Sequence, residues 1–233
     1  MIQRIEASAR QGARYEWLKT FYLFSFANYF DPTNLQFGVL RVFNDDTINA
    51  YSGFDEHGHE DMEIVTIMLS GQLTHRDSLG NTVTIKAGEV QRMSAGTGVI
   101  HAEKNLGDEP VHLYQLWFLP EREQLPPSYE QKDFSYLEPN TLVPIASKNP
   151  QRDALHMSAD ATIFLAQLEE GKELTYEMAV GRGVFVYVQE GTILINNKVF
   201  GSGDQARIEQ ETILVLRAEA GNARIVFIDV GGV

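Results

Sequence analysis

Cysteine is absent from all 233 residues, which removes disulfides, thiolate metal sites and cysteine nucleophiles at once. That absence fits a reducing cytoplasm, the expected location. No apolar run approaches the ~20 residues needed to span a bilayer, and the opening "MIQRIEASARQGARYEW" lacks the apolar stretch of a secretory leader. The expectation is a protein without a membrane partner that stays where it is made. Positive charge is scarce too. Nineteen Lys and Arg stand against 32 Asp and Glu, a net charge of −13 spread along the chain. A phosphate backbone would be repelled by such a surface, so direct nucleic-acid binding is not expected and the charge is read as solubility. No long amphipathic stripe advertises an interface, and a monomer is expected.

Helical signals are also few; "YEWLKTF", "REQLPPSYE" and "RDALHMSADA" are the short candidates. Strand-like segments dominate instead, among them "FGVLRVF", "EIVTIML", "GQLTHRD", "TVTIKAG", "VHLYQLWFL", "VFVYVQEG" and "ARIVFIDV". They recur every roughly 8–12 residues with turn residues between, the pattern of a sandwich or barrel. "DSLGN" (Asp77 to Asn81) reads as a hairpin loop, with Gly80 supplying the positive φ such a turn needs. Hydrophobic residues make up 43% of the chain, enough for a core without staples.

From Glu121 to Pro150 the character changes: five of the eight prolines fall here, and alternating apolar residues do not. The segment is read as a connector between two β-rich units, residues 1–139 and 140–233. The halves resemble each other. Laying "MLSGQLTHRDSLGNTVTIKAGEVQRM" over "VQEGTILINNKVFGSGDQARI" matches Gly71 to Gly191 and Gly88 to Gly203, as expected of an internal duplication; chance likeness between glycine-punctuated strands is the alternative.

Two of the six histidines are spent on one acidic stretch, "GFDEHGHEDMEI". Taken alone, His57-x-His59 reads as two exposed loop histidines rather than as a metal site. Residues two apart on a strand share a face, so His57, His59 and Glu63 have one parity. Some forty residues on, "GVIHAEKN" repeats the device with His101 and Glu103. Two such pairs facing each other in a barrel would bring three imidazoles and a carboxylate to one point, a donor set for a first-row divalent metal with room beside it. Parity leaves the carboxylate open between Glu63 and Glu103. His75 and His112 are read as packed or strand-surface residues, and His156 is given no role. Offsets from Gly191 put Glu177 and Ala179 where the first half has His57 and His59, and no histidine follows His156. The second half is therefore expected to be structural, without metal ligands.

The motif "G-x-x-x-H-x-H-x-x-x-E", followed by "G-x-x-x-x-x-S-x-G" and His101, resembles the paired motifs of the cupin superfamily. More narrowly, "FSFANYFDP", "HGHEDMEIVTIMLSGQLTHRDSLGN", "MSAGTGVIHAEKN" and "LYQLWFLP" resemble the pirin family, especially bacterial members associated with quercetin 2,3-dioxygenase activity. The resemblance implies an all-β bicupin, two β-barrels of the double-stranded β-helix or jelly-roll type. It implies metal ligation by His57, His59, His101 and Glu103, leaving Glu63 as a supporting or salt-bridging carboxylate. One divalent transition metal follows, Fe(2+) first, with Ni, Co, Mn, Cu or Zn compatible with the same donors.

The implied reaction joins a flavonol and dioxygen, opening the heterocyclic ring with release of carbon monoxide. Glu103 is the expected catalytic proton acceptor. A different class is implied as well: a non-enzymatic, metal- and redox-sensitive regulatory protein that binds a protein partner. The aromatics of "FYLFSFANYF" (Phe21 to Phe30) could line a cleft for a flat substrate, but core is the favoured reading. Because histidine must be neutral to coordinate, metal affinity is expected to weaken below pH about 6.5.

Overall fold

The computed structural model describes residues 1–233 and contains four antiparallel-dominated sheets, seven- and four-stranded in each half. In the first half the large sheet runs in the order Ser128–Asp133, Glu89–Ser94, Glu63–Ser70, Val111–Phe118, Leu40–Ile48, Leu18–Tyr22 and Gln11–Arg14. Facing it is a small sheet of Ser52–His59, Val99–Asn105, Gln72–Asp77 and Thr82–Lys86. The second half repeats this arrangement. Its large sheet is Ile2–Ile5, Gln205–Ile208, Gly183–Glu190, Ala223–Val230, Ala161–Leu168, Val143–Ser147 and Leu155–His156; its small sheet is Glu173–Glu177, Ile213–Ala218, Thr192–Ile195 and Lys198–Gly201. The chain is thus an all-β bicupin. No helix is long and apolar enough to cross a membrane.

Two departures from the sequence expectations have plain physical causes. None of the three helical candidates forms a helix; the one helical turn is Ala7–Ala9. "YEWLKTF" instead enters the strand Leu18–Tyr22, where Leu18, Thr20 and Tyr22 alternate inward and the strand takes its ladder from Leu40–Ile48. Tertiary pairing overrides weak local propensity there. The connector also contributes structure: Ser128–Asp133 pairs in full register with Glu89–Ser94. As an edge strand that is mostly polar ("SYEQKD"), it carries no apolar alternation to be read. Its counterpart at the edge of the second large sheet is the N-terminal strand Ile2–Ile5, so chain from the beginning of the sequence completes that sheet.

The two large sheets pack back to back. Their contact is a cluster of 24 buried residues drawn from both halves, including Phe24, Phe43, Val65, Tyr114, Ile163, Phe185, Tyr187 and Ile228. Phe43 lies 5.7 Å from Phe185 and 5.0 Å from Tyr187 in tilted ring contacts. Each such ring removed from water is worth about 1.5–3 kcal/mol. Asp45 stitches the seam with polar bonds, accepting from the Tyr187 hydroxyl (2.8 Å), His112 Nε2 (2.7 Å) and Arg10 (3.3 Å). Burial raises Asp45, but the bonds from His112 and Tyr187 outweigh it and hold the carboxyl below its ordinary value.

The barrel interiors differ. Across the first large sheet, Gln91, Thr66, Gln115 and Asn44 are successive cross-strand partners and form one polar row. In the second, the corresponding row is Ala206, Val186, Phe227 and Phe164. The glycine match places Gln91 on Ala206 and Thr66 on Val186, so one architecture holds a polar interior in one copy and an apolar interior in the other.

Candidate metal centre

Three neighbouring strands of the first small sheet each bear an alternating pair of donors: His57 and His59, His101 and Glu103, His75 and Asp77. The register aligns them. His101 lies opposite His57 on one side and opposite Asp77 on the other, while Glu103 lies opposite His75. Cross-strand partners share a face, so all six side chains point one way. Between the paired positions His101/His57 and Glu103/Phe54, Asp55 and Glu56 stand against the single residue Ala102, a bulge of the kind that re-aims side chains beside sites. The strands come close because Gly53 has no side chain. A Cβ there would sit 2.2 Å from the Glu103 carbonyl oxygen, at a φ of 153° that other residues rarely adopt.

The imidazoles converge. Ring centroids of His57 and His101 are 4.4 Å apart, His57 and His59 4.9 Å, and His59 and His101 5.0 Å, with one donor atom from each within 4.8 Å of the others. His101, His75 and Glu103 form a second, overlapping cluster by the same measure, wholly buried. His57 Nδ1 lies 2.7 Å from the Asp55 carbonyl oxygen; a carbonyl only accepts, so Nδ1 carries the proton and Nε2 presents a lone pair. Burial, with His101 and His57 nearby, lowers His59 to about 4; burial, with His57 and His75 nearby, lowers His101 to about 3. These two rings are neutral throughout the physiological range, the state coordination needs. For them, proton competition falls well below the value of about 6.5 expected from sequence.

Glu103 is 1% exposed and reaches toward the facing sheet, where Gln115 Nε2 donates to its Oε2 over 2.8 Å. Gln115 is itself held by Trp117, whose Nε1 donates to Gln115 Oε1 over 3.1 Å. Glu103 Oε1 and His101 Nε2 are buried with no protein partner. Two orphaned donor atoms beside two further imidazoles fit a divalent cation, because an unpaired buried carboxylate oxygen is costly unless an ion or proton satisfies it. The polar row continues the theme: Asn44 Oδ1, Thr66 Oγ1, Gln91 Nε2 and the fully buried Asp46 Oδ1 likewise have no protein partner.

The other sequence candidates fall elsewhere. Glu63 shares neither strand nor cluster with the imidazoles, because the chain breaks at Glu60–Met62, with Asp61 at φ 47°. It is buried and accepts from Ser94 Oγ at 2.8 Å, beside Arg92. His112 belongs to the seam between the sheets, and His156 is exposed on the Leu155–His156 strand. Of the aromatic stretch, Phe24 is core, as favoured. Phe26 instead meets Trp117 edge to face at 5.2 Å, and Trp117 meets His59 at 4.8 Å. Beside His57, Trp17 meets Phe54 at 5.0 Å and Phe54 lies 6.1 Å from His57 in an open cleft that also includes Lys104. Sequence reasoning passed over Gln115, Trp117 and the His75/Asp77 pair. The last did leave a signal, being a second His-x-acid alternation on a strand beside His101-x-Glu103.

Comparison with known proteins agrees with this architecture. The family model described as "Pirin" matches residues 4–118, and that described as "Quercetinase C-terminal cupin domain" matches residues 144–230. The chain is 37% identical over 228 residues to the "Quercetin 2,3-dioxygenase" of Escherichia coli strain K12, covering 97% of this chain and 98% of that one. It is also 37% identical over 231 residues to a "Pirin-like protein" of Caulobacter vibrioides, covering 98% and 99%. Among solved structures, the E. coli bacterial pirin YhhW in complex with nickel(II) superposes with a TM-score of 0.95 at 35% identity, each chain covered completely. The three donor pairs and the paired barrels therefore sit in a chain that belongs to the pirin family.

Proposed function

We propose that this protein is a metal-dependent dioxygenase of the pirin type, acting on a flavonol such as quercetin. The ligands are His57, His59, His101 and Glu103, and the ion is iron(II) in the cell. The observation that carries this reading is the orphaned pair of buried atoms, Glu103 Oε1 and His101 Nε2, beside two further imidazoles. Relatives bearing the dioxygenase name, and one solved with nickel(II), support it.

When bound, a divalent transition ion supplies Lewis acidity and redox chemistry for a chelating oxygen substrate. The chain's own residues do the rest. Phe26 with Trp117, and Trp17 with Phe54, form aromatic walls on two sides of the imidazoles, suited to a flat polyphenol. Gln115 holds Glu103 Oε2, which fixes the carboxylate with Oε1 turned to the ion and places the group beside the substrate 3-hydroxyl, whose proton it would take. His59 and His101, as ligands, would have no lone pair free to compete for that proton. The overall change consumes one flavonol and one dioxygen and yields a ring-opened product and carbon monoxide.

The test is loss of quercetin's visible absorbance in air, with protein loaded in turn with iron, nickel, cobalt, manganese or copper, beside His57→Ala. Turnover that needs His57 is expected. No turnover with any metal would replace the enzyme reading with that of a metal-binding regulatory protein.

A further inference from the structure

The pair His75 and Asp77 is idle in the function above, yet both side chains are wholly buried against it. Asp77 is saturated with donors. Its Oδ1 accepts the backbone N–H groups of Leu79 and Asn81, each at 3.0 Å, and its Oδ2 accepts from Asn81 Nδ2 (2.8 Å) and faces His75 Nε2 (3.0 Å). Burial raises Asp77, but the bonds from Asn81 and His75 overcome it, so the group is an ionised acceptor. An ionised carboxylate cannot donate, so His75 Nε2 must carry the proton. In neutral His75 the other nitrogen, Nδ1, is then a lone pair. It lies 3.4 Å from His101 Nδ1, a contact that needs one N–H and one lone pair. With a single proton on His75, the proton of the 3.4 Å contact sits on His101 Nδ1, which leaves the orphaned Nε2 as a lone pair aimed at the cluster. Free histidine prefers the opposite tautomer, with the proton on Nε2, so the neighbours must impose this one.

We propose that Asp77 and His75 are positioning residues that act in series to fix the tautomer of His101, holding its Nε2 permanently ready for a metal ion. The proposal rests on the reading of His101 as a ligand. The backbone carbonyl of Asp55 does for His57 in one step what Asp77 does for His101 in two. The alternative is that Asp77 merely staples the hairpin turn and His75 merely fills space beside Tyr129 (ring centroids 4.9 Å apart).

Asp77→Asn separates the two. Asparagine keeps Oδ1 for the turn amides, while its new Nδ2 donates to His75 Nε2 and to the Asn81 amide, which turns its Oδ1 inward in place of Nδ2. The proton of His75 then moves to Nδ1 and that of His101 to Nε2, closing the metal-facing lone pair. The same logic underlies the wrong-tautomer effect of the equivalent change in serine proteases. Nitrogen-15 spectra of histidine-labelled, metal-free protein read the tautomer directly. For the unaltered chain the expected result is a protonated Nδ1 and unprotonated Nε2 on His101, inverted in Asp77→Asn. Nickel(II) affinity should fall about 10–100-fold in the variant with its thermal unfolding still cooperative. A protonated Nε2 on His101 of the unaltered chain overturns the proposal even if the variant does not fold, as does a variant with unchanged tautomer and affinity. Failure of the ligand reading looks different: the unaltered chain would show the expected tautomer yet bind no nickel(II).

Discussion

Gln115 and Glu103 belong to opposite sheets of the first barrel and meet through a 2.8 Å bond from the amide nitrogen to a carboxylate oxygen. With Trp117 holding the amide from behind, one strand of the large sheet orients a carboxylate borne on the small one. Gln115→Leu removes that support and leaves Glu103 Oε2 without its buried donor. The expected outcome is a roughly 10–100-fold loss of nickel(II) affinity, read by calorimetric titration, with the far-ultraviolet circular dichroism unchanged. Equal affinities would show that Gln115 does not orient Glu103.

Phe185 ties the two barrels together, in ring contact with Phe24, Phe37 and Phe43 across the seam. Phe185→Ala is expected to cost about 3–5 kcal/mol in urea denaturation, because the buried site is walled by strands of both large sheets and collapses poorly. A cost under about 1 kcal/mol would mean that the seam repacks freely.

Asp46 is wholly buried with one oxygen unpartnered, and burial, reinforced by Asp45 and Glu103, pushes it up to about 7. The unfolded chain ionises near 3.9. Between those values the unfolded state loses its proton first, so the native state is progressively disfavoured as pH rises from about 4 to 7. Asp46→Asn removes that penalty. Relative to the unaltered chain, the variant should gain about 2 kcal/mol in stability on going from pH 5 to 8, measured by urea denaturation at each pH. A difference that is flat with pH would contradict the placement of Asp46.

His59 and His101 act in the opposite direction. Their folded values of about 4 and 3 lie below the unfolded value near 6.5. As pH falls through 6.5 the unfolded chain takes up protons that the folded chain refuses, so their contribution to stability is full above about 6.5 and is lost toward pH 4 and below. The metal-free protein should therefore show a falling midpoint of thermal unfolding between pH 6.5 and 4, and His59→Gln should flatten the slope. An unchanged slope in that variant would mean His59 is solvated.

Much of this was legible in residues two apart. His57-x-His59 and His101-x-Glu103 announce strands with donors on one face, and the resemblance carried by "MSAGTGVIHAEKN" and its neighbours orders them into a bicupin. Other features were hidden for identifiable reasons. Asp77 was absorbed into the turn "DSLGN", which it does organise, with Gly80 at φ 95°. A side chain that caps a turn with one oxygen and orients a histidine with the other shows only the first role in sequence. Gln115 and Asp46 lie on strands whose inward positions are read as apolar by default, and their partners are distant in the chain. The edge strand Ser128–Asp133 has no apolar face, and its existence is fixed by the ladder to Glu89–Ser94 alone. Glu63 matched the imidazoles in parity only while the strand was assumed unbroken; Asp61 breaks it.

In the proposed site one cation is held jointly by His57, His59, His101 and Glu103. Elemental analysis of the purified protein beside His101→Ala, prepared identically, tests it most directly. The unaltered protein should carry about one equivalent of a divalent transition metal per chain, and the variant at least about tenfold less. Equal metal content in both would contradict it.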